Sequence, residues 1–128
     1  MEDAEAPDDI GAPRAQWLRG VLDMCLLAVI AEQPVYGYEM TVRLADAGLA
    51  VASGSIYPAL GRLRSRELVE VFRRPGDGGP DRTYYRLSPR GTEALGAWGQ
   101  EWRRFAQGVG TLVAGEPDTR QSGADREQ

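Results

Sequence analysis

The 128 residues contain no histidine, no lysine and a single cysteine, Cys25. Without imidazole, and with one thiol, the chain has nothing from which to build a zinc site or a nucleophile paired with a histidine base. An intrachain disulfide is excluded as well, and Cys25 among apolar neighbours reads as a buried thiol. No local spacing suggests a catalytic pair of carboxylates, so an enzyme is not expected, and neither a cofactor nor a metal is implied. Long apolar runs are also missing. The longest, VLDMCLLAVIA at residues 21–31, is interrupted by Asp23 and falls short of the roughly 20 residues that a membrane span requires. The chain opens on the acidic MEDAEAPDD rather than on a basic segment followed by a cleavable apolar one, so a cytoplasmic location is expected.

What is present is a folded-protein composition, with 42% hydrophobic and 27% charged residues, in a chain the size of one domain. The formal net charge of −4 argues against a nucleic-acid partner until the charges are placed. Residues 1–13 carry five acids and no base, and residues 115–128 carry four acids against two arginines. The remainder holds 10 acids and 13 arginines, and residues 62–90 alone hold eight arginines against Glu67, Glu70, Asp77 and Asp81. Such focusing of positive charge is more informative than the total. All 15 basic residues are arginine, the side chain whose fork grips phosphate or guanine at two points. Genomic base composition is an equally simple source of the missing lysines.

Along the chain, residues 1–13 and 115–128 read as disordered acidic tails. Residues 14–32 read as a helix apolar around nearly its whole circumference, which must be buried on more than one side. In so short a chain a second copy is the natural cover. Pro34 ends it, and a second helix is expected from about residue 36 to 47, stopped by Gly48. A third occupies residues 53–67. LVEVFRR (68–74) and TYYRL (83–87) are β-branched and aromatic strands flanking the turn PGDGGPD. Ser88 caps a final helix with Pro89 at its first position, running to about residue 113. The expected fold is mainly α: a winged helix-turn-helix over 14–87, with three helices and a β-hairpin wing, then a C-terminal dimerisation helix over 88–114.

Pro58 sits within the periodic pattern of the third helix. A cap at Ser53 or Ser55 would put it in or next to the first turn, where amide hydrogens have no partner to lose. Steps of 100° then bury Ile56, Ala59, Leu60 and Leu63 and turn Ser55, Pro58, Gly61, Arg62 and Ser65 outward, with Tyr57 and Arg64 at the boundary. Arg73, Arg74, Arg82 and Arg86 bracket the wing. Ser53, Ser55, Tyr57, Pro58 and Arg62 are therefore the candidate groove contacts and the four wing arginines the candidate backbone contacts with double-stranded DNA. A solvated amphipathic helix, or a winged-helix module that docks an acidic protein, would carry the same pattern. Alternation along TYYRL assigns Tyr85 to the core and Tyr84 to the surface.

The stretches VYGYEM (35–40), SGSIYPALGRLRSRELVE (53–70) and DRTYYRLSPRGTEAL (81–95) resemble the PadR family of bacterial transcription regulators, over about residues 17–105. The resemblance implies a homodimer, usually a repressor, that binds a near-palindromic operator and releases it when a small aromatic or drug-like molecule binds. It is to the short subgroup, with one C-terminal helix. It also implies that Trp102 falls where a multidrug-sensing relative stacks flat ligands at the dimer interface. Trp98, one turn away, and Trp17 on the first helix complete the candidate effector contacts. An aromatic stripe at this spacing serves packing equally well.

Overall fold

The computed structural model describes residues 11 and 13–115. Apart from Gly11, Pro13 and Gly115, the tails expected at 1–13 and 115–128 lie outside the described residues. The elements are α1 (Arg14–Glu32), β1 (Val35–Tyr36), α2 (Gly37–Asp46), α3 (Ser53–Ser65), β2 (Val69–Arg74), β3 (Arg82–Leu87) and α4 (Pro89–Ala114). The sheet is antiparallel, in the order β1-β3-β2. Mainly helical, with a hairpin wing and a long last helix, it is the winged helix-turn-helix read from the sequence. Among the described residues no helix is long and apolar enough to cross a membrane.

α1 is the centre of the protomer. Leu22, Leu26, Leu27 and Ile30 are buried, and the helix packs against α2, α3, β3 and α4. The cover that its all-round apolar surface demands is therefore supplied largely by its own chain, and Trp17, 61% exposed, is the large residue left out. Cys25 is half-buried against the core rather than enclosed, and burial pushes its thiol pKa up, which keeps it protonated and unreactive.

The two-residue strand β1 is not foreseen by the sequence. Val35 pairs with Tyr85 and Tyr36 with Tyr84, so the hairpin gains a third strand and Val35 enters the core at 1% exposure. α2 then buries Met40 and Leu44. It ends as the sequence predicts, with Gly48 at φ 81° and the Leu49 amide donating to the Leu44 carbonyl at 2.8 Å.

The start of α3 differs from expectation. Its N-cap is Ala52, with no side-chain cap, and both Ser53 and Ser55 lie inside the helix. Pro58 is consequently in the second turn, and its missing N–H leaves the Gly54 carbonyl without an intrahelical donor. The helix tolerates this because Gly54 is exposed, so water can take the donor's place.

α3 closes on Glu67, a non-glycine residue at φ 62°. The Glu67 amide donates to the Arg64 carbonyl and the Leu68 amide to the Leu63 carbonyl, both at 2.9 Å. This is the six-residue closure that normally recruits glycine. Because the Glu67 side chain is exposed, Glu67→Gly should stabilise the fold by up to about 1 kcal/mol, raising the thermal midpoint by a few degrees. A circular dichroism melt checks it.

Candidate nucleic-acid interface

The outward face of α3 is as the helical spacing requires. Ile56, Ala59, Leu60 and Leu63 are at most 1% exposed, while Ser53, Gly54, Ser55, Tyr57, Pro58, Gly61, Arg62, Arg64 and Ser65 face solvent. Arg62 is exposed but turned back onto α1. Its Nε and Nη2 donate to Asp23 Oδ2 and Oδ1 at 3.2 and 2.8 Å. An exposed ion pair of this kind contributes at most about 1 kcal/mol, and its main consequence is to occupy the fork that the sequence reading directs at bases. Arg64, placed at the boundary of this face by the helical spacing but not among the candidate contacts, has no acidic partner among the described residues. The Tyr85 phenol is raised in pKa by burial, with Tyr57 adding and Arg64 opposing, so both side chains lie within electrostatic reach of Tyr85. Arg14 and Arg19, also missed, flank Ser55 across a shallow trough between α1 and the start of α3.

The wing divides its arginines. Strand register aligns Tyr36, Tyr84 and Phe72 across β1, β3 and β2, with ring centroids 5.4 and 5.7 Å apart. Arg74 lies over Tyr84 at 4.6 Å, Arg82 over Tyr36 at 4.5 Å and Arg86 over Phe72 at 4.8 Å. Each such contact contributes about 0.5–1 kcal/mol at an exposed site. The stacked guanidinium still offers N–H groups at its edge, and a side chain already ordered loses less entropy on binding an anion. Arg86 is further tied to Glu70 at 3.0 Å. Arg73, opposite Thr83, shares the pleat face of Val71 and Tyr85 and so points the other way. The structure thus brings Arg74, Arg82 and Arg86 together and separates Arg73 from them. As the alternation predicts, Tyr85 packs against the core and Tyr84 stands on the outer face.

Helix and wing meet at the junction of β1 and α2. The Tyr57 ring rests on Gly37, where a methyl group would stand 2.8 Å from Tyr57 Cζ, and the preceding residue, Tyr36, carries Arg82. Tyr57, Gly37, Tyr36 and Arg82 form one run of contacts from α3 to the wing.

The three tryptophans are not in ring contact with one another among the described residues. Trp98 is half-buried against the core under Arg66, at 5.1 Å. Trp102 is 41% exposed beside Phe105, at 6.1 Å, and Trp17 stands clear on α1. Trp102, Phe105, Val109, Leu112 and Val113 leave an apolar stripe exposed along α4.

Residues 26–97 match the profile of the Transcriptional regulator PadR-like family. A PadR-like transcriptional regulator from Bacillus cereus is 38% identical with a TM-score of 0.71, covering 79% of this chain and 99% of its own. A PadR family transcriptional regulator from Eggerthella lenta is 33% identical with a TM-score of 0.74, covering 85% of this chain and 96% of its own. Bacillus subtilis PadR, solved in complex with operator DNA, shares the fold at 21% identity and a TM-score of 0.57, over 61% of this chain and 45% of its own. Matched by the family model over more than half its length, and more than 30% identical to two PadR regulators that it covers almost entirely, this chain is a DNA-binding transcription regulator, not an enzyme, and a member of the PadR-like family.

Proposed function

We propose that the protein is a ligand-responsive repressor acting in the cytoplasm as a homodimer on a pseudo-palindromic operator. The observation that carries this is the continuous surface from Tyr57 through Gly37 and Tyr36 to Arg82. Ser53, Ser55, Tyr57 and Pro58 enter the major groove, and Arg74, Arg82 and Arg86, which share one face of the wing, grip the backbone beside it, while Arg73 on the other face does not. Arg62 joins them by exchanging Asp23 for DNA. That Bacillus subtilis PadR is bound to operator DNA in its solved complex supports the reading. The exposed stripe on α4 supports a second copy, which would set two reading helices about 34 Å apart, one turn of duplex. A flat aromatic effector lodges between the α4 helices against Trp102, Trp98 and Trp17, and acts by favouring a spacing that no longer fits DNA.

The test is an anisotropy titration of the gene's own upstream duplex against a shuffled one, with wild-type protein and with Phe105→Asp, alongside sedimentation. The wild type should be dimeric and prefer the native duplex by about 1000-fold or more, while Phe105→Asp should be monomeric and lose that preference. Equal binding of both duplexes, or none, would return the surface to the rival role of docking an acidic protein.

A further inference from the structure

Among the described residues nothing hydrogen-bonds the Tyr57 hydroxyl, and the side chain is 58% exposed. A large aromatic on a reading helix would ordinarily sample several rotamers and lose that freedom on binding DNA. What limits it here is Gly37, the first residue of α2, itself buried beneath the ring. A Cβ at position 37 would overlap the phenol, standing 2.8 Å from Cζ and 3.0 Å from Cε1. The backbone of Gly37 is not at positive φ, so neither helix geometry nor turn conformation requires glycine there. At the start of a helix alanine would be the better residue. The space itself is the feature left to explain.

We propose that Gly37 is a positioning residue for operator recognition: its missing side chain forms the seat that holds the Tyr57 ring at the outward edge of α3. The inference rests on the DNA-binding reading above. Because Tyr36 precedes the seat and carries Arg82, the same junction sets the ring and the wing arginine relative to each other.

A Gly37→Ala methyl group displaces the mobile end of an exposed side chain rather than a piece of backbone, so the fold survives and the contact is lost. Gly37→Ala should melt within a few degrees of wild type yet bind the operator about 10-fold more weakly, the equivalent of roughly 1.4 kcal/mol. Affinity for shuffled duplex should stay the same. Tyr57→Ala should lose a similar amount, and Gly37→Ala made in the Tyr57→Ala background should cost nothing further, since groups acting through one contact are not additive. Wild-type operator affinity in Gly37→Ala, or losses that multiply in the double variant, would overturn the proposal. If Gly37→Ala fails to fold, the double variant, which removes the overlap, decides the matter: its failure to fold as well would make Gly37 a structural residue. Absence of operator binding by the wild type would instead sink the regulator reading and leave the seat standing as geometry alone.

Discussion

Gly91→Ala should destabilise the protein by roughly 3 kcal/mol and lower its thermal midpoint by more than about 10 °C. A Cβ at position 91 would run into the Leu68 carbonyl, standing 3.0 Å from its carbon, and Leu68 is backbone that cannot swing aside. The same carbonyl oxygen accepts from the Ser88 amide at 3.1 Å. Ser88 Oγ accepts from the Gly91 amide at 2.9 Å and donates to the Glu67 carbonyl at 2.7 Å, and Arg90 Nε donates to the Arg66 carbonyl at 3.0 Å. Relief of the overlap requires lifting the first turn of α4 off the end of α3, and the bonds to the Leu68, Glu67 and Arg66 carbonyls all span that joint. Losing a Ser cap alone costs about 1 kcal/mol, and forcing extra volume into a packed contact costs about 1–3. Gly20 provides the control, since it is mid-helix on α1 with nothing within 4 Å of its Cβ direction. Gly20→Ala should therefore stabilise by up to about 1 kcal/mol. Thermal and urea melts of both variants check the pair. A Gly91→Ala protein that melts with wild type would mean that α4 slides freely along the turn.

This joint also marks where the sequence is readable and where it is not. Ser88 and Pro89 announce the start of α4 because capping is local chemistry, written within four residues. The buried quartet of α3 is readable for the same reason, as a period that needs only its own helix. Its first residue is not, because Ala52 supplies no side chain to signal a cap and two nearby serines offer a false one. β1 is unreadable at two residues, too short for any alternation, and exists only because Tyr84 and Tyr85 pair with it from some 50 positions away. The site divides along the same line. Exposure of Ser55 and Tyr57 follows from periodicity, whereas the Asp23 grip on Arg62 joins positions 39 apart and nothing near either residue indicates it. Alternation within TYYRL places Tyr84 and Tyr85 correctly. Only the register between β2 and β3 reveals that Arg73 stands on one face and Arg74, Arg82 and Arg86 on the other.

Operator affinity should fall about 10⁴-fold between about 50 and 200 mM monovalent salt. With roughly four phosphate contacts per protomer, eight per dimer, log K against log salt has a slope near −7, about 0.9 per phosphate neutralised. Arg82→Ala removes one contact from each protomer and should move the slope toward −5 while weakening all sequences alike. Tyr36→Ala keeps every charge and removes the ring beneath Arg82. It should leave the slope near −7 and cost only about the 0.5–1 kcal/mol of the stacking contact, so a salt series on the two variants separates the cation from its platform. The contrast also tests which face of the wing meets DNA. A slope unchanged by Arg82→Ala would mean that this guanidinium never reaches a phosphate, and the duplex would then have to lie along the face that carries Arg73.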